Sequence, residues 1–506
     1  MPTSFCIHPE NRKIFLFRGK PRILVCASEH YGAVMNRPFR FERYLANAAE
    51  NSQTLTRTFM LFREFQSMLN PYSTCKPEST DYIAPFKRVG PGQAWDGLLK
   101  YDLAQWDPEF FDRLHRFLSL ASDYGIVVEV VLLSNTYCTE VLHANPLNEG
   151  NNINGVEDIP WPEYMSKRHP KLFAWQCAHV RKIITETNRY DNIFYEICNE
   201  PGGLAKLPNA PTLEEVNAWQ MALAQVIRAT EAPLPNKHLI AGQEALTYTH
   251  AFPSEVQQLS DKSFRDFDVD IVNMHPLSNM TYGGKVYHMG HFMSKELSLA
   301  ALQQYCLATY HESKPLNLDE DNTAARFRDY DGWTIHRKRA WTTLFCGCHY
   351  DYIDFSVGVH CETGTPESRR CIRTWMKHLS DFIHTLDLAR ARPLADWVKR
   401  SPAHTLATVL AIANEDYGIY LADTRELGEG AGEPIHGAII LDLPAGPFDA
   451  TFFAPVTGKY APPFQLEGGH DITVSLPEFR HDLVLHITRC GLSNTTKPCI
   501  EGVNHE

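Results

Sequence analysis

Short apolar, β-prone runs recur along most of the chain, at 22–27, 54–60, 126–133, 192–198, 238–241, 270–275, 315–319 and 350–355. Between them lie stretches with helical periodicity, such as 172–187 and 212–229. Eight strands alternating with helices predict a parallel sheet closed into a (β/α)8 barrel. An opening strand–turn–strand at 13–27, turning on Arg18-Gly-Lys, adds an N-terminal hairpin. Beyond Arg392 the pattern changes to short β-like runs at 405–414, 417–422, 437–443, 450–453, 472–476 and 482–487, separated by turn residues. This predicts a small antiparallel β-sandwich. Pro444-Ala-Gly-Pro and Ala461-Pro-Pro read as its loops. The expected division is a barrel over 1–392, a sandwich over 393–490 and a polar tail over 491–506. Two spacings, 63–106 and 135–170, are too long for minimal βα connections and read as functional loops near the barrel mouth.

Two of the runs end on chemistry. Asn192-Ile-Phe-Tyr-Glu-Ile-Cys-Asn199-Glu200-Pro201 is an apolar strand that stops on an amide, a carboxylate and a proline. Pro201 cannot extend the ladder, so Glu200 falls at the carboxyl edge, where barrels place their reacting groups. Lys314-Pro-Leu-Asn-Leu-Asp319-Glu320 delivers a second carboxylate in the same way, with Asp319 and Glu312 as sequence neighbours that compete for the role. Most glutamates are solvated surface charges. A pair at buried strand ends is not ordinary surface, and paired carboxylates suggest glycoside hydrolysis.

Tyr195-Glu-Ile-Cys-Asn-Glu-Pro201 resembles the fourth-strand signature of clan A glycoside hydrolases, the cellulase-like barrels. Lys314 through Glu320 is similar to that clan's seventh-strand pattern, and 107–133 resembles its third βα unit. Within the clan, the nearest resemblance is to apiosidase-like barrels and to proteins with a C-terminal sandwich of the collagen-binding type. The resemblance implies a retaining enzyme with Glu200 as acid/base and Glu320 as nucleophile. It also implies that Asn199 touches the sugar's 2-hydroxyl, that Arg57 supports the nucleophile, and that His275 lies near the nucleophile. Tyr282 would be the phenol that bonds it. Strand-end hydrogen bonding is the plain alternative for Asn199, and an inter-strand salt bridge for Arg57. Glu29, His30 and Asn135 end the first and third strands and face the expected mouth, where loop capping would explain them equally well. Tyr137, Trp161 and Trp95 are candidates for stacking on sugar faces, against a default of core packing. The eighth strand lacks the tryptophan many clan members use as a subsite floor, leaving Asp354 or Phe355 for that place.

Composition narrows the partners. With 506 residues, 44% hydrophobic and 21% charged, the chain is ordinary globular protein, and its net charge of −12 contains no long basic run. That argues against nucleic acid, which needs clustered Lys and Arg. No stretch of about 18 apolar residues suggests a membrane span. The N-terminus lacks an apolar signal core, so the chain as written reads as cytoplasmic or as a mature secreted form. Thirteen cysteines without a repeating spacing fit free thiols. Cys346-Gly-Cys348-His349, with His360-Cys361, lacks paired knuckles, so neither a metal nor another cofactor is expected. The expected partner is an oligo- or polysaccharide or another glycoside. Two other readings compete: a non-catalytic carbohydrate-binding protein on a barrel scaffold, and a metal-dependent hydrolase using His275, Asp319 and the Cys/His cluster.

Overall fold

The structure, a computed structural model, describes residues 4–29, 31–63, 80–203, 209–247, 258–259, 261–276, 279–289, 297–321, 330–426 and 428–491. All eight expected barrel strands are present: β1 Val25–Glu29, β2 Leu55–Phe59, β3 Val127–Ser134, β4 Ile193–Asn199, β5 Ile240–Gly242, β6 Ile271–Asn273, β7 Leu316–Asp321 and β8 His349–Ile353. From β2 to β8 each pairs in parallel with its successor, and β8 returns to β1. At the β1/β2 seam Thr54 N donates to Val25 O at 3.0 Å and Val25 N to Thr54 Oγ1 at 2.9 Å, which nearly closes the barrel.

Some of the intervening helices begin where the sequence supplies caps. The helix Pro108–Asp123 starts after Asp107, whose carboxylate accepts from Glu109 N, and Pro108 occupies the first turn, where no amide hydrogen is needed. Leu213–Glu231 starts from a capping box between Thr212 and Glu215. The N-terminal hairpin pairs Phe15–Phe17 with Lys20–Arg22 across Arg18 (φ 49°) and Gly19 (φ 76°). Its Phe15 and Phe17, with Phe5, pack on Leu24, Leu55, Val127, Phe194, Ala241 and Ile271, residues at the N-terminal ends of β1 to β6. An apolar plug therefore seals the barrel floor.

Five longer strands follow: β9 Thr405–Ile412, β10 Asp416–Asp423, β11 Ile435–Ala454, β12 Phe464–Phe479 and β13 Asp482–Arg489. They form one antiparallel sheet in which the long β11 pairs with β12 along its length and with β13 over its second half. The sheet curls over a core that includes Ile419, Leu421, Ile439, Leu441, Phe448 and Leu485, giving a sandwich-type domain. Pro444-Ala-Gly-Pro447, expected as a loop, lies inside β11. The register shifts between Leu443 and Pro447, and Gly446 at φ 119° supplies the backbone for a bulge that bends the strand. The 63–106 segment, expected as an open loop, contains an antiparallel hairpin, Phe86–Gln93 with Leu99–Trp106. Its Gly90-Pro-Gly run had masked the strand pattern.

The barrel and the sheet share a core. Trp341, Phe345 and Phe382 from the barrel side cluster with Tyr420, Phe453 and Val484. Trp341 stacks on Tyr420 with ring centres 5.3 Å apart, and Arg337 forms a two-pronged, fully buried pair with Asp482 at 2.8 and 2.9 Å. The Cys/His cluster is structural at His349: Nδ1 accepts from Leu24 N at 2.9 Å and Nε2 meets Lys13 O at 3.0 Å, leaving neither nitrogen for a metal.

Candidate active site

Glu200 immediately follows the last residue of β4, and Glu320 is the second-last residue of β7, so both stand at C-terminal strand ends. Both also carry left-handed backbone, with φ 45° at Glu200 and 54° at Glu320. That conformation costs an L side chain roughly 1–2 kcal/mol and persists only where the surroundings impose it. At Glu200 the surroundings are visible. Asn135 Nδ2 donates to Glu200 O at 3.0 Å, and a Cβ at Gly202 would come within 3.1 Å of that same amide and 3.3 Å of Leu246 O. Asn135 thus positions the Glu200 backbone, while its Oδ1 accepts from Tyr137 N at 2.9 Å.

The two side chains have different partners. Glu320, 8% exposed, receives Arg57 Nη1 at 2.5 Å. Glu200 receives the Tyr137 hydroxyl on Oε2 at 2.7 Å and meets His275 Nδ1 through Oε1 at 3.0 Å. Asn199 Nδ2 donates to the Tyr137 oxygen at 2.7 Å, and its Oδ1 accepts from Arg57 Nη2 at 2.9 Å. His275 Nε2 faces the other carboxylates, 3.4 Å from Asp319 and 3.6 Å from Glu320. One ligand atom each from Glu200, His275 and Glu320 lies within 4.8 Å of the others.

Arg57 is fully buried and is the hub below the mouth. It contacts Glu196 (3.0 Å from Nε), Asp319 (3.1 Å), Glu320 and Asn199. Arg57 and His275 therefore face four carboxylates: Glu196, Glu200, Asp319 and Glu320. Burial is the main force pushing Glu320 up to about 7, reinforced by Glu200 and Asp319 and opposed by His275 and Arg57. Arg57 opposes it only partly because its charge is divided among three acids. Burial by itself would lower the His275 pKa, but Glu320, Asp319 and Glu200 reverse the outcome and hold it well above the usual histidine range. Deeper in the barrel, burial raises Glu129 and Glu196, and pushes Asp351 up to about 8. Such a group titrates as a unit.

The structure brings together Glu200, Glu320, Asn199, Arg57, His275 and Asn135 from the expected set. Tyr282 is elsewhere: its hydroxyl lies 2.7 Å from His311 Nε2 and 2.5 Å from Glu312 Oε1, with no contact to Glu320. Six residues beyond Pro276, its direction was decided by the strand Asn279–Tyr282 that it closes. The Glu29 side chain and His30 lie outside the described residues. Asp354 is not a subsite floor, because its oxygens accept from Arg373 Nε and Ser356 N. Phe355 packs with Ile353 and Tyr31. Tyr137, expected to stack on sugar or to pack in the core, also bonds Glu200 through its hydroxyl. Glu129, Glu196 and Asp351 went unread, although isolated acids inside otherwise apolar strands were a visible signal.

Residues 79–163 match a family model described as a domain of unknown function, DUF6298. No curated protein matches the chain significantly. Among solved structures, a glycoside hydrolase family 5 protein from Bacteroides vulgatus is similar over 97% of this chain and 94% of its own, with TM-score 0.61 and 12% identity. A second structure, described as a glycoside hydrolase, is similar over 97% of this chain and 98% of its own, with TM-score 0.59 and 12% identity. The likeness spans barrel and sandwich together, and at this identity it establishes the architecture.

Proposed function

We propose that this chain is a retaining glycoside hydrolase acting by double displacement, with Glu200 as acid/base and Glu320 as nucleophile. The observation that carries the reading is the meeting of two strand-end carboxylates, with an oxygen of each within 4.8 Å of the other. Inverting enzymes separate theirs by roughly 6.5–9.5 Å to seat a water, whereas retaining enzymes hold them about 5 Å apart. The unlike partners support the division of roles. Arg57 directs a charge-assisted bond at Glu320, which suits a group that must attack as an anion. Glu200 sits between a hydroxyl and an imidazole, 28% exposed at its side chain, where it can pass a proton to a departing oxygen and later take one from water. The two solved barrels described as glycoside hydrolases support a sugar substrate.

The chemistry is balanced by these two residues alone. Glu320 attacks the anomeric carbon as Glu200 protonates the leaving oxygen, forming a glycosyl ester. Water, deprotonated by Glu200, then releases the sugar and restores both carboxyl groups.

The test is a panel of aryl glycosides with good and poor leaving groups. Glu200→Ala is expected to lose far less activity on activated substrates than on natural glycans, with azide restoring turnover. Glu320→Gln is expected to be inactive on both, and a 2-fluoro glycoside to label Glu320, as read by mass spectrometry. Equal losses for Glu200→Ala on both substrate types would overturn the assignment. Saccharide binding without turnover would favour a binding protein. Since Glu200, His275 and Glu320 could also clasp a cation, loss of activity in EDTA would favour a metal-dependent hydrolase built on these three residues rather than on the Cys/His cluster.

A further inference from the structure

At the opposite end of the molecule, a cleft of about 610 Å³ opens where the barrel floor meets the sandwich. Its walls come from residues just before β1, β2 and β3 (Arg22, Thr54 and Gly125), from the end of the helix Thr374–Ile383, and from the sandwich at Phe453 to Tyr460. This volume falls in the range of small-ligand sites. It lies at the N-terminal strand ends, on the face away from Glu200 and Glu320.

Two features give the cleft a chemistry. Tyr124 and Tyr460 both line it and are 43% and 48% exposed, which places them among the few large apolar side chains open to water in the described residues. Tyr460 is backed by Phe382, at 6.4 Å and 27°, and by Phe453, at 4.9 Å, so its ring is a fixed platform. The second feature is Arg22. No carboxylate among the described residues pairs with it, and its Nε is shut off from water without an acceptor. The one acid in the lining, Asp381, is already engaged by Lys377 at 2.9 Å. His378 donates from Nδ1 to Pro455 O at 2.8 Å, and that tautomer leaves its Nε2 as an acceptor for a hydroxyl.

We infer that this cleft binds a short acidic saccharide, a pyranose face lying on Tyr460 and a ring carboxylate answering Arg22. An unpaired guanidinium favours an anion. A backed, exposed tyrosine favours a flat apolar ring face, and a neutral imidazole nitrogen favours hydroxyls. The inference goes beyond the proposed hydrolysis and does not require it. A chain held by this cleft leaves the barrel mouth open.

The test is calorimetric titration of the full-length Glu320→Gln protein, which removes turnover, with digalacturonate, the neutral disaccharide galactobiose, and inorganic phosphate. Saturable digalacturonate binding is expected, weakened at least tenfold by Tyr460→Ala and by Arg22→Met, with galactobiose at least tenfold weaker. Tyr124→Ala, a surface change, guards against misfolding of the Arg22 variant and is expected to weaken binding severalfold. Phosphate binding as tightly as digalacturonate would overturn the saccharide. Equal binding of galactobiose would overturn the acidic class, and no binding, or binding indifferent to Tyr460, would overturn the site. Aryl glycosidase activity of Tyr460→Ala in the otherwise native protein reports the barrel mouth separately.

Discussion

At the N-terminal end of the barrel, Phe5, Phe15 and Phe17 fill the opening with apolar rings. At the C-terminal end the same strands deliver Asn199, Glu200, His275 and Glu320 over a buried Arg57. Burial is favourable at the floor because apolar surface leaves water. At the mouth it is unfavourable, because it desolvates carboxylates and raises Glu320 to about 7. The backbone tells the same story: Glu200 and Glu320 both sit in left-handed conformations. One end of the barrel stores stability, and the other spends it on a constellation of like charges.

The sharpest way to break this contrast is Arg57→Leu, which leaves Glu196, Asp319 and Glu320 without their guanidinium. Activity on aryl glycosides is expected to fall at least about a thousandfold, on the scale of a lost preorganised charge contact. Removing one partner of a buried ion pair also costs about 3–5 kcal/mol. Glu320 would then rise further above about 7. Since attack needs its anion, the acid limb of kcat/KM, expected near pH 7 in the native protein, would move to higher pH. A carboxyl whose folded pKa exceeds its unfolded value holds its proton better when folded, so its contribution to stability falls as pH rises from about 4.5 through 7. Denaturant midpoints at pH 5 and pH 8 check this, and the drop is expected to steepen in Arg57→Leu. An unchanged acid limb would separate Arg57 from Glu320.

Phe15→Ala probes the floor. Phe15 is fully buried, 4.5 Å from the Phe5 ring and 4.7 Å from His349. A loss of about 3–5 kcal/mol is expected in urea unfolding, with kcat unchanged below the melting range. A loss of kcat at native temperature would mean the two ends are coupled. The mildest test is Tyr137→Phe, which deletes the hydroxyl between Asn199 and Glu200 and costs about 1 kcal/mol. It is expected to lower kcat/KM by about tenfold, with little effect on melting.

The hydrophobic pattern alone was sufficient for the eight barrel strands, their order and the two strand-end glutamates. An apolar run that ends on Asn199-Glu200-Pro201 carries its meaning within ten residues, because strand burial and the missing proline amide are local facts. The Arg18-Gly19 turn was legible for the same reason. The direction of Tyr282, the hairpin hidden by Gly90-Pro91-Gly92 and the bulge at Pro444–Pro447 were not. Each depends on what the segment packs against, and turn residues serve a loop or a bulged strand equally well. The tertiary structure decided that Tyr137 meets Glu200, that Asn135 restrains the Glu200 backbone, and that one guanidinium serves three acids. Those contacts join residues dozens to hundreds of positions apart, and electrostatic coupling depends on distance in space and on lost solvent, neither of which a linear pattern records.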